Sequence, residues 1–235
     1  YLELMNETPD VTGIATAPDD QEPLARLNSA QREAVLHFEG PLLVIAGAGS
    51  GKTRVLTTRI ARLVQHHGVD PSRILAVTFT NKAAGEMRER IAMLVDRELK
   101  GMWCGTFHAT GARMLRSHAA CTGRTASFTI YDEDDTMGLA KRVMERVGVS
   151  PKQWTPKSVM SLISDAKNAL VTPAQFEAAA FDPLSRAAAA VYRELEPALR
   201  AANAVTFDDL LVLPVQVLAE NPNVLEHYRR KFQFL

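Results

Sequence analysis

One stretch constrains this chain more than any other: Leu42–Arg54, LLVIAGAGSGKTR. It reads as a short buried strand over Leu42–Ala46, a glycine-rich turn, and a helix starting near Lys52. Such a loop suits a phosphate group. Residues without Cβ let the backbone curl until successive N–H groups face one anion, and the helix start adds unpaired donors and a positive dipole end. Gly47, Gly49 and Gly51 supply the curl, with Ala48 and Ser50 between them, while Lys52 can reach outer phosphates and the Thr53 hydroxyl can ligate Mg²⁺. The pattern G-x-x-x-x-G-K-[ST] would place glycine where Ala46 stands, a departure that the dense glycines beyond it absorb. A flexible connector is the competing reading, but it explains neither the apolar run before the turn nor the GKT after it.

Around this loop the chain repeats a pattern. Asn28 can cap a helix with Gln31 at its third position and Ala34, Val35 and Phe38 on its apolar face. After the loop helix, which should end near Gly68, a strand over Ile74–Phe79 leads into Thr80, Asn81, Lys82 and a helix. Another strand, over Gly101–Thr106, leads into Phe107, His108 and a helix. Three successive strand-then-helix units with near-continuous apolar strands predict the α/β class, a parallel sheet flanked by helices. Ligands of such sheets bind at the carboxyl ends of the strands, where all three special turns fall.

From about Cys121 the pattern is helical. Helix starts are written at Asp132, at Thr155 with Pro156, at the box Thr172, Pro173 and Gln175, and at Asp182 with Pro183. We read residues 119–203 as an all-helical subdomain inserted between residues 24–118 and 204–235. Thr206–Asp209 then caps a further helix, and Asn221 with Pro222 starts the last. Residues 1–23 show no periodicity and read as a mobile acidic leader.

Net charge is zero over 235 residues, but it is unevenly spread. The leader holds acids and no Lys or Arg, whereas Lys52–Arg116 holds twelve Lys and Arg against five Asp and Glu. A polyanion partner fits that segment, and so does a solvated helix face with pairs such as Glu86 and Arg90. No apolar run is long enough for a membrane span, and Cys104 and Cys121 read as reduced thiols of a cytoplasmic protein.

Five segments in order, L27-N-S-A-Q31, A46-G-A-G-S-G-K-T53, F79-T-N-K-A-A84, T106-F-H108 and T206-F-D-D-L-L211, resemble the first half of the motor of superfamily 1 DNA helicases, the UvrD, PcrA and Rep kind. The resemblance covers about Leu24–Leu235 and implies an incomplete RecA-like P-loop NTPase lobe, its helical insertion being the 1B subdomain. It implies ATP and Mg²⁺ as cofactors, with residues 46–54 at the nucleotide. Gln31 would read the adenine edge, a role that competes with its place in the capping box. Lys52 would hold the β- and γ-phosphates, Thr53 the Mg²⁺, and Arg54 would lie by the base or ribose. Phe79, Thr80, Asn81 and Lys82 would grip single-stranded DNA, and Thr106, Phe107 and His108 would form a second DNA turn. An aromatic stacks on any base, while small polar groups and a lysine hold phosphates. The competing reading of Phe79 is a core residue at a strand end. Lys167 and Asn168 would face a duplex at the single-strand junction or lie on a solvated helix face, and Asp209 reads as a capping acid rather than a metal ligand.

The family implies one more thing. A strand matching Phe232–Leu235 continues there into an Asp-Glu pair that holds Mg²⁺ and activates water, and a second lobe supplies arginines. Neither is present in these residues. The expectation is an N-terminal portion of an ATP-dependent 3′–5′ DNA helicase of repair or replication, inactive in hydrolysis alone. Two alternatives stand beside it: a natural non-catalytic ATP- and DNA-binding module, and an unrelated P-loop kinase or GTPase.

Overall fold

The computed structural model describes residues 24–96 and 98–235, so the expected leader lies outside the described residues. The chain forms two compact units, one being the described part of Tyr1–Pro71 with Gly85–Gly101, the other Ser72–Ala84 with Met102–Leu235.

In the first unit, α1 (Ser29–Leu36) starts at a complete capping box between Asn28 and Gln31, as its sequence predicts. Helix α2 (Lys52–Gln65) starts at Gly51. The two pack through Ala34, Val35 and Val55, with Leu27 below them. Arg59 of α2 donates to the Ala34 and His37 carbonyls, satisfying acceptors that the end of α1 would otherwise leave bare. Burial lowers the Arg59 pKa. Phe38 falls outside α1 and stacks on His67 instead of extending the helix face, with centroids 4.1 Å apart.

The expected strand at Leu42–Ala46 does not form. Those residues lie outside any strand, with Leu43 83% and Ile45 88% exposed. An apolar run becomes a strand only when a neighbour supplies ladder hydrogen bonds and a face to bury, and among the described residues none pairs with it.

In the second unit, β1 (Leu75–Thr78) pairs in parallel with β2 (Trp103–Thr106), in register from Leu75 opposite Trp103 to Thr78 opposite Thr106. On the other edge of β1, Ile74 bridges Phe234 in parallel, an isolated bridge in place of the strand expected over Phe232–Leu235. Helix α3 (Asn81–Leu94) follows β1 and α4 (Phe107–Ser117) follows β2. A second parallel pair, β3 (Thr129–Ile130) with β4 (Ala204–Val205), has no counterpart in the sequence reading, because two-residue strands carry no period.

Between β3 and β4 run α5 (Glu133–Arg146), α6 (Pro156–Asn168), α7 (Pro173–Ala178) and α8 (Pro183–Ala201), with N-caps at Asp132, Thr155, Thr172 and Asp182. Leu139, Val143, Val159, Ile163, Val191 and Leu199 form their shared core. Helices α9 (Asp209–Glu220) and α10 (Pro222–Lys231) close the unit. Among the described residues no helix is long and apolar enough to cross a membrane. The architecture is mixed α/β with small parallel sheets.

Candidate nucleotide loop and nucleic-acid face

The loop of the first unit is built by its glycines and closed by its lysine. Gly49 at φ 75° and Gly51 at φ 87° hold left-handed backbone that side chains resist. Ser50 donates its hydroxyl to the Gly47 carbonyl at 2.7 Å. The Lys52 ammonium donates to the carbonyls of Ala46 at 2.9 Å and Gly47 at 2.6 Å. Lys52, Thr53 and Arg54 are exposed on the first turn of α2, which holds no acid. This donor set fits a polyphosphate: a helix N-terminus with its dipole, an accessible ammonium and a hydroxyl beside it. Arg54 also lines a cleft of about 520 Å³ with Arg26, Thr57, Thr58 and Arg90.

Gln31 is committed to both structural partners at once. Its side-chain oxygen accepts from the Asn28 N–H at 3.1 Å, and its amide nitrogen donates to the Ser50 carbonyl at 2.8 Å. A carboxamide has two acceptor sites and two donor hydrogens, so one of each remains. Cap and loop contact therefore coexist on one side chain, whereas the competition expected from the sequence was between the cap and the adenine edge.

In the second unit, parallel pairing of β1 and β2 brings two turns together. Phe79 and Phe107 follow the registered pair Thr78 and Thr106, with ring centroids 5.7 Å apart. Phe79 is 88% exposed, which removes the core reading of that residue. Thr80 accepts the Ala83 N–H at 3.1 Å, capping α3 while leaving its own hydroxyl hydrogen to donate. Asn81 and Lys82 are exposed beside it. Thr106 differs: it is buried, and its hydroxyl caps α4 by accepting from Ala109 at 3.1 Å. That turn therefore presents Phe107 and His108.

Sequence reasoning gave Phe207 no role, although the segment holding it had been singled out. Its ring stacks on His108 at 3.9 Å between centroids, is 58% exposed, and forms one wall of a cleft with Tyr131, Met137 and Lys157. Gly111 was missed as well. A Cβ there would lie 1.9 Å from the Leu210 carbonyl oxygen, so only glycine lets α4 approach α9 this closely. Lys167, read as facing a duplex or solvent, is buried instead, its ammonium 2.5 Å from Asp209. Asp209 accepts from the Thr206 N–H at 2.8 Å, the capping role its position predicts. Among the described residues no cluster of His, Cys, Asp and Glu could hold a metal ion.

A loop whose donors fit a polyphosphate, and an exposed aromatic face at the carboxyl ends of parallel strands, agree with what the chain is similar to. Residues 27–235 match the UvrD/REP helicase N-terminal domain. The chain belongs to that family. Among its relatives, ATP-dependent DNA helicase UvrD1 of Mycobacterium tuberculosis is 48% identical over 221 residues, 92% of this chain and 28% of the relative. ATP-dependent DNA helicase PcrA of Leuconostoc citreum is 44% identical over 210 residues, 89% of this chain and 28% of the relative. PcrA of Staphylococcus aureus is 42% identical over 212 residues, 90% and 29%. The chain thus spans under a third of the length of these relatives. Membership in the UvrD/REP family accounts for the order of the five segments, from Leu27 to Leu211.

Proposed function

We propose that this chain is the ATP- and single-stranded-DNA-binding portion of an ATP-dependent 3′–5′ DNA helicase, working in the bacterial cytoplasm on chromosomal DNA in repair or replication. Residues 24–118 and 204–235 are read as an incomplete RecA-like lobe, and 119–203 as its inserted 1B subdomain. One observation carries the reading: the exposed pair Phe79 and Phe107, extended by stacked His108 and Phe207, at the carboxyl ends of parallel β1 and β2. Four aromatic side chains at a strand-end rim, with Asn81 and Lys82 beside them, make a sequence-tolerant stacking surface with phosphate donors.

On the nucleotide side, Lys52 exchanges the Ala46 and Gly47 carbonyls for phosphate oxygens, and the glycine-rich N–H groups hold the same anion. Thr53 is the residue to hold Mg²⁺, which would screen phosphate charge when bound. Gln31 turns its remaining donor and acceptor to the adenine edge, and Arg54 lies by the base or ribose. Hydrolysis and strand separation at a single-strand to duplex junction are assigned to a longer parent, a reading supported by the chain's span of 28% of UvrD1.

The test is titration of the 235-residue chain with fluorescein-labelled oligo(dT), beside ATP binding and hydrolysis assays. The expected result is Phe79-dependent oligonucleotide binding and Lys52-dependent ATP binding without turnover. Equal affinity of Phe79→Ala and wild type for oligo(dT) would overturn the DNA assignment; preference for GTP would overturn the nucleotide assignment.

A further inference from the structure

We propose that Lys167 is a positioning residue for nucleic-acid binding: its buried ion pair with Asp209 sets where Phe207 stands against His108. The inference rests on the reading of that stacked pair as a single-strand contact.

Lys167 and Asp209 side chains are 5% and 2% exposed, and they meet at 2.5 Å. Such a pair is poorly explained by stability, because taking two charges out of water is costly and an apolar replacement of similar volume is often neutral or stabilising. What the pair does well is fix direction. Asp209 works on two sides: Oδ1 receives the Lys167 ammonium, and Oδ2 receives the Thr206 N–H at 2.8 Å. Thr206 is itself buried and immediately precedes Phe207. The turn bearing Phe207 is therefore held by a carboxylate that α6 holds in turn.

Phe207 needs such support because it has little of its own. At 58% exposure its ring draws little orientation from core packing, yet it stacks on His108 at 3.9 Å and 21°. The backbone on either side must aim it. Gly111, one turn beyond His108 on α4, lets the Leu210 carbonyl close in and sets the distance between α4 and α9. Lys167 supplies the second constraint, the rotation of the turn from Thr206 to Asp209. It stands in the last turn of α6, a helix whose Val159, Ile163 and Ala166 belong to the helical core, so its ammonium links that core to the turn bearing Phe207.

The test uses the whole 235-residue chain with two readouts: affinity for fluorescein-labelled oligo(dT), and the NMR shift of the His108 ring protons, displaced upfield by the Phe207 ring. Lys167→Gln with Asp209→Asn keeps a hydrogen-bonded pair and an acceptor for Thr206, and should retain the His108 shift and oligonucleotide affinity within about twofold. Lys167→Met with Asp209→Leu should fold, melting lower than wild type because the buried Thr206 N–H loses its acceptor, and should lose the shift and about tenfold in affinity. A folded apolar variant that keeps both would overturn the proposal. If that variant does not fold, Asp209→Glu decides, because it keeps both charges and lengthens the link by one methylene. A displaced His108 signal supports the positioning role and an unmoved one overturns it. Wild-type protein that shows the shift but binds no oligonucleotide would sink the DNA-binding reading instead, leaving the His108 signal to judge the positioning alone.

Discussion

The Gln31 amide nitrogen donates to the Ser50 carbonyl at 2.8 Å, tying the cap of α1 to the glycine-rich loop nineteen residues further on. The contact is tight on the loop side, because a Cβ on Gly51 would lie 2.8 Å from that nitrogen. The residue that starts α1 thus also holds the loop in shape.

Gln31→Glu separates the two duties. A carboxylate still accepts the Asn28 N–H and preserves the capping box, but it cannot donate to Ser50 or to a base. Thermal stability should be nearly unchanged, while ATP affinity falls by about fivefold, one net hydrogen bond. Isothermal titration beside a melting curve checks it; an unchanged ATP affinity would make Gln31 a cap alone.

Lys82 and Phe79 should weaken DNA binding in different ways. Phe79→Ala removes a stacking surface worth about 1–3 kcal/mol per base and should leave the salt dependence as it was. Lys82→Ala removes one phosphate contact and should reduce the slope of log K against log salt by about 0.7. Titrations with oligo(dT) at several salt concentrations distinguish them, and a slope change in Phe79→Ala would refute the division of labour.

How much of this was written in the sequence follows from range. The caps at Asn28, Asp132, Thr155, Thr172 and Asp182 bond three residues ahead, so local chemistry announced each of them. The segment Leu42–Ala46 was misread because strand formation depends on a partner elsewhere in the chain. Lys167 reads as a cation facing a duplex or solvent because its partner is forty-two residues away, and a buried pair leaves no periodic trace. At the candidate site, motif order singled out Phe79, Phe107 and His108. Phe207 joined them only through packing, since its ring meets His108 across α4 and the start of α9.

Gly111→Ala should be among the most damaging substitutions of a single methyl. The added Cβ meets the Leu210 backbone oxygen at 1.9 Å, where no flexible side chain can yield. Overpacking costs about 1–3 kcal/mol and more when backbone must move. Gly138→Ala provides the contrast: it lies inside α5 with its nearest neighbour an Arg142 side-chain nitrogen at 3.7 Å, and should stabilise by up to about 1 kcal/mol from helix propensity. Denaturant unfolding of both variants checks the pair of signs.

Acid should loosen the second unit through His118. Burial first, and then the charge of His227, lower its pKa below the ordinary 6.5. The ring lies 6.4 Å from His227 and 5.5 Å from Tyr228 on α10, with the Tyr228 pKa itself raised, chiefly by burial. Because the folded value is the lower one, the unfolded chain takes up the proton first. The stability held by neutral His118 is complete above pH 6.5 and is lost as pH falls through the lowered folded value. His118→Gln should therefore show a smaller drop in melting temperature between neutral and mildly acidic buffer than wild type, and His227→Gln should also reduce the drop by removing a like charge. An unchanged acid response in His118→Gln would assign the sensitivity to other groups.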